Sequence, residues 1–244
     1  MTTTSATMKH LQVGLALVLG ILMASCAPYP RVLRHQLPPL ATVPGDFERY
    51  GCHPAGGLEL ECPKDSPIGK LGCVRLWTSL VLSGVTPLEP LAGCEVVDPT
   101  HSIEPGDYVL ASGGLLPIYT RYLALSESGP VLLKSASAFR ERYAPVDSPA
   151  EAITFVTALT DLSVFNSFDG PRRLRYFLPV LEETEVVATS SGYLVKNLLR
   201  KKLFGCGPHT NWLVDVAVSH DGSVQVVTER KAFEDPQEDG ICVD

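Results

Sequence analysis

The spacing of apolar residues changes character along the chain, and each change predicts a different kind of structure. Ala152, Phe155, Val156 and Leu159 fall at i, i+3, i+4 and i+7, which places one apolar stripe on a helix over residues 149–161. Ser148, Pro149 and Glu151 supply its start. The serine hydroxyl can accept from the amide three residues on, the glutamate can reach back, and proline at the first helical position lacks a donor that would have no partner there. A shorter helix is predicted over residues 136–143. Beyond the helices the period drops to two. Residues 184–189 are β-prone, Ser190, Ser191 and Gly192 turn the chain, and residues 193–199 return. Trp212, Val214, Val216 and Val218 then share one face of a strand over 212–219, and His220, Asp221 and Gly222 form a tight turn into a strand at 224–228. The acidic end, 234–244, reads as irregular.

Upstream, over residues 51–135, apolar stretches are short. Glycine or proline recurs every few residues, from Gly56 and Gly57 to Gly113 and Gly114, which leaves room for short strands and little for helices. Candidate strands are 74–82, 107–111, 119–125 and 131–134. The expected fold class is α+β: a turn-rich, disulfide-tied N-terminal β region over 51–135, followed over 136–244 by a capped helix packed on one face of an antiparallel β meander.

Residues 26–50 carry Pro28, Pro30, Pro38, Pro39 and Pro44. Proline fixes φ and removes a backbone donor, so this segment is expected to be extended and poor at pairing. As a tether at about 3.1 Å per residue, it would hold the downstream domain up to about 70 Å from its anchor. Residues 1–25 are of another kind. Lys9 precedes a largely apolar run of 13 residues, 11–23, and Ala24, Ser25 and Cys26 follow. A membrane-spanning helix needs about 20 apolar residues, whereas this length suits the core of an export signal. The stretch 8–26 resembles the signal peptide and lipobox of bacterial lipoproteins, with Met23 where that family usually has leucine and Ala24, Ser25 and Cys26 matching. The resemblance implies that a peptidase removes residues 1–25, that the Cys26 thiol takes up lipid, palmitate among the acyl chains, and that the mature protein is held by that lipid at the membrane of a cell envelope. Ala27 is not the aspartate that marks inner-membrane retention, so a Gram-negative source implies the outer membrane. Translation from Met1 or from Met8 leaves the mature chain unchanged.

Cysteine usage fits export. Seven cysteines are present, and with Cys26 set aside for lipid six remain: Cys52, Cys62, Cys73, Cys94, Cys206 and Cys242. An oxidising compartment lets such cysteines pair. Six cysteines allow fifteen connectivities, and pairing of neighbours, Cys52 with Cys62, Cys73 with Cys94 and Cys206 with Cys242, is the working assignment. Cleavage before Cys26 would leave 219 residues and, by removing Lys9, take the formal charge from −7 to −8. That balance argues against nucleic acid or anionic lipid as a main partner. Two basic clusters oppose it locally, Arg172, Arg173 and Arg175, and then Arg200, Lys201 and Lys202, and both read as solvated faces.

Chemistry is sparse. The hydrolase, zinc-protease, nucleotide-binding and redox signatures are absent from the sequence, and nothing implies a cofactor or a metal. Asp98, His101 and Ser102 are too close in sequence to assemble a triad. Cys206 and His209 form the most pointed cluster: an imidazole near a thiol can favour the thiolate, although glycines at 205 and 207 and Pro208 suit a disulfide-bearing loop better. The leading expectation is a lipid-anchored envelope module that binds an envelope protein or the cell wall without catalysis. An envelope enzyme built on Cys206 and His209, or a soluble secreted protein, are the alternatives.

Overall fold

The computed structural model describes residues 29–40, 45–97, 103–112, 117–171, 173–202 and 205–243. The lipobox stretch, Cys26 included, and the Asp98, His101 and Ser102 group lie outside the described residues. Strand β1 (Arg31–Leu33) opens the described chain. Strands β2 (His53–Gly56), β3 (Glu59–Glu61), β4 (Arg75–Thr78), β5 (Leu91–Val97), β6 (Leu110–Ser112), β7 (Ile118–Ser126) and β8 (Gly129–Leu133) form an antiparallel sheet in the order β2-β3-β4-β5-β7-β6, with β8 also paired to β7. Helices α1 (Ala136–Tyr143) and α2 (Pro149–Leu159) come next. The rest comprises β9 (Arg175–Tyr176), β10 (Val180–Glu182), β11 (Glu185–Thr189), β12 (Gly192–Lys202), β13 (Gly205–Cys206), β14 (Thr210–Ser219), β15 (Val224–Glu234) and β16 (Cys242–Val243). A second antiparallel sheet runs β11-β12-β14-β15-β9, while β1 pairs in parallel with β10 and β13 antiparallel with β16. The fold is α+β, mostly sheet.

The helix starts obey the local signals. Ser148 Oγ accepts from the Glu151 amide at 3.2 Å, and the Glu151 carboxylate accepts from the Asp147 amide at 2.8 Å and the Ser148 hydroxyl at 3.0 Å. Ser135 caps α1 by accepting from the Ala138 amide at 3.1 Å. The environment of α2 differs from the single stripe expected. Ala152, Ile153, Phe155, Val156 and Ala158 are all buried, as are Glu151 and Thr154, because α2 has a sheet on each side. Tyr122 of β7 donates to the Ala158 carbonyl at 2.9 Å, and Val195, Val214, Val216 and Val218 of the other sheet close the same core. Thr154 donates to the Val81 carbonyl at 2.6 Å and accepts from the Gly84 amide at 3.1 Å. Gly84 permits that approach, since a Cβ there would press on the Ala150 carbonyl.

Two smaller cores flank this one. Phe47, Ile68, Leu76, Ala92 and Leu123 surround Cys52, Cys62, Cys73 and Cys94 in the N-terminal region. Phe165, Leu181, Leu213, Ala232 and Phe233 pack beneath the 165–183 segment.

Several expected boundaries move. The strand expected at 74–82 stops at Thr78 and gives way to a 3-10 turn, Leu80–Leu82. Strand β5 had no place in the expectation, because Pro90 and Gly93 read as turn signals. Gly93 is instead opposite Trp77 in the register, and a Cβ there would fall inside the indole, so the glycine makes room for a ring crossing the strand. Strands β12 and β15 run to 11 residues each. The acidic end forms a 3-10 turn, Pro236–Glu238, and β16 rather than irregular chain.

The reading of 26–50 as a free tether needs correction. The described part, 29–40 and 45–50, carries the short strand β1 and a 3-10 turn, Glu48–Tyr50, and it is docked: Arg31 and Val32 pair with Val180 and Leu181, Phe47 is buried, and Leu37 packs on the main core. Parallel pairing with the short β10 is compatible with Pro30 because the proline lies just outside β1.

Candidate functional site

The six described cysteines form three disulfides between sequence neighbours, Cys52–Cys62, Cys73–Cys94 and Cys206–Cys242, with Cα separations of 4.1, 5.3 and 3.9 Å. The first closes the β2–β3 hairpin, and the last joins directly opposed residues of β13 and β16. These bonds use all six of the cysteines among the described residues.

The Cys206 and His209 cluster therefore offers no thiol. His209 is only 2% exposed, its Nε2 lies 3.3 Å from the Gly205 carbonyl oxygen, and its Nδ1 lies 3.9 Å from Glu238 Oε2. Glu238 also accepts from Lys201 Nζ at 2.9 Å. The imidazole is thus enclosed, with Glu238 of the C-terminal 3-10 turn beside it, instead of facing solvent. Among the described residues no group of three or more His, Cys, Asp or Glu side chains could hold a metal ion.

Of the basic clusters, Arg173, Arg175, Arg200, Lys201 and Lys202 are paired with carboxylates, and Arg172 lies outside the described residues. Arg200 binds Asp161 at 2.9 Å and also Glu229, which Lys202 reaches at 3.2 Å. Lys202 further sits 4.1 Å from the centre of the Trp212 ring. Arg173 binds Asp235 at 3.0 Å and Arg175 binds the buried Glu234. Of the aromatic residues, Tyr122, Tyr143 and Phe165 are core, whereas Phe177 is exposed beside Lys231.

Two polar clusters carry no sequence signal. At a bulge in β12, Asn197 is buried with φ 56°, in the left-handed region that asparagine tolerates. Its amide donates to Asp215 Oδ1 at 2.9 Å, its Oδ1 accepts from Arg230 at 2.6 Å, its carbonyl accepts from the Thr184 hydroxyl at 3.0 Å, and Thr228 donates to Asp215 Oδ2 at 2.8 Å. These groups satisfy one another, so the network fixes the bulge. Glu89, buried between β5 and α1, accepts from Arg142 at 2.5 and 2.7 Å and from the Tyr143 hydroxyl at 2.7 Å. Burial alone would raise its carboxyl pKa, but the hydrogen bonds from Arg142 and Tyr143 and the charge of Arg142 outweigh it and hold the carboxyl below its ordinary range. Both clusters depend on pairings across distant segments, which local spacing does not reveal.

One open recess of about 270 Å³ is walled by Glu59, Glu61, Arg75 and Glu95, and another of about 350 Å³ lies over Tyr193, Leu194 and Ala217 on the outer face of the second sheet. Neither brings together a nucleophile and a base.

No protein-family model, curated protein or solved structure gives a significant match to this chain.

Proposed function

We propose that this chain is a lipid-anchored protein of the bacterial cell envelope, whose disulfide-tied α+β domain binds or scaffolds an envelope partner without catalysis. The supporting observation is the cysteine pairing: three disulfides use six cysteines and leave the lipobox Cys26 as the seventh. Three disulfides also fit an oxidising compartment. The residues that came nearest to a catalytic pair support the non-catalytic side of the reading, since Cys206 is oxidised and His209 is enclosed. Among the described residues no helix is long and apolar enough to cross a membrane.

The test is the intact mass of the mature protein extracted from membranes, with and without reduction and alkylation. A chain beginning at Cys26 with added acyl mass, taking up six alkyl groups only after reduction, is expected. A mature chain without acyl mass would overturn the anchoring.

A further inference from the structure

The docking of β1 restricts where a membrane can lie. Three residue steps separate Cys26 from Tyr29, and a fully extended chain spans at most about 3.6 Å per residue, so the two are within about 11 Å in any conformation. Tyr29 is itself fixed on the domain: its ring lies 5.7 Å from that of Tyr176, and the Arg31 amide two residues on donates to the Pro179 carbonyl at 3.0 Å. If Cys26 carries lipid, the surface around Tyr29 has to lie against the bilayer.

That surface has the chemistry of a membrane interface. Tyr29 is half exposed, and Tyr176 beside it hydrogen-bonds through its hydroxyl to the Pro171 carbonyl at 2.9 Å. Arg31 is exposed, and the side chains of Arg34, Arg173 and Arg175 are 67, 60 and 54% exposed. Their acidic partners are mostly underneath: Asp235 is 13% and Glu234 2% exposed, and only Asp169, at 91%, shares the surface. The arginine at 34 reaches Asp169 at 3.3 Å, and the adjoining Gly170 lies against the Tyr29 and Tyr176 hydroxyls, so these groups are contiguous. The side chains of Arg34, Arg173 and Arg175 thus stay more than half exposed while each holds a carboxylate, in a protein whose formal charge is −7. Arginine and tyrosine both suit the headgroup level of a bilayer, with an apolar body and a polar end.

We infer that the surface formed by Tyr29, Arg31, Arg34, Arg173, Arg175 and Tyr176 lies flat on the membrane that carries the Cys26 lipid, its guanidinium groups on anionic phospholipid headgroups. The inference rests on the proposed acylation. It adds an electrostatic attachment to that of the acyl chains.

The experiment places the lipidated protein on phosphatidylcholine vesicles with or without phosphatidylglycerol and follows amide hydrogen exchange. Slower exchange over 29–34 and 173–176 on the phosphatidylglycerol vesicles, lost in R31E/R34E with an unchanged melting temperature, is expected. No slowing there, or slowing on another face, in protein whose mass shows acylated Cys26 would overturn the surface while leaving the anchoring intact. Should the mass show no acyl chain, the surface is judged on the full chain carrying Cys26→Ser. Sedimentation with phosphatidylglycerol vesicles that falls about tenfold or more in R31E/R34E would support it, and no dependence on phosphatidylglycerol would overturn it.

Discussion

The N-terminal region and the centre of the molecule solve the same problem by different means. Around α2 the core is made of large side chains in regular elements: Tyr122, Phe139, Tyr143 and Phe155 form a chain of ring contacts with centroids 5.0 to 5.3 Å apart. In the N-terminal core, four of the nine buried residues are disulfide cysteines, and the chain around them is turns and strands of three to seven residues. Short strands bury little area each, so crosslinks that restrict the unfolded chain replace part of the missing packing. Crosslinking and packing should therefore fail differently when each is removed.

Phe155→Ala gives the largest expected effect, a loss of about 3–5 kcal/mol from a fully buried ring packed on Phe139. Denaturant unfolding followed by tryptophan fluorescence and by circular dichroism should shift together, since Trp77 and Trp212 both pack against this core. Separate transitions would mean that the two regions are independent.

Replacing Cys73 and Cys94 together by alanine opens a crosslink spanning 21 residues and should cost about 2–4 kcal/mol. Hydrogen exchange is expected to rise over 45–97 more than in α2 and β14. Equal loosening everywhere would erase the distinction drawn above.

Glu89→Gln probes the joint between the regions, because Glu89 precedes β5 and grips α1. A loss of about 1–3 kcal/mol at neutral pH is expected, the cost of leaving buried donors poorly matched. The folded carboxyl pKa is depressed, so its stabilisation is present above the ordinary value of 4.5 and disappears as pH falls through the lower folded value. Melting temperature against pH should consequently fall less steeply on the acid side for E89Q than for the unaltered protein. Parallel curves would assign the acid sensitivity elsewhere.

The smallest effect is expected at the helix start. Ser148→Ala removes the acceptor for the Glu151 amide and should cost about 1 kcal/mol, measured by thermal melting. A change well above that would mean that the Asp147 to Glu151 turn also holds neighbouring segments.

Much of this was legible from local spacing. Helix α1 occupies residues 136–143 as expected, and α2 begins at the expected Pro149. The turn at His220, Asp221 and Gly222 joins β14 to β15 where alternation required it. Neighbouring cysteines pair, since short separations bring them together with the least loss of chain entropy. Less of the site could be read: Cys206 and His209 stand out as a string of letters, yet the disulfide to Cys242 and the enclosure by Glu238 give them a structural role.

What the sequence by itself determined is local: the ends of the helices, the faces of the strands after residue 184 and the hairpin turns. Only the tertiary structure decided that β1 docks on β10, that Gly93 belongs to a strand beneath Trp77, that α2 is enclosed by two sheets, and that Asn197 and Glu89 each tie distant segments together. The division has a physical cause. Period and capping follow from the geometry of one segment, whereas pairing between remote segments depends on whether two finished surfaces fit, and that fit is a property of neither segment alone.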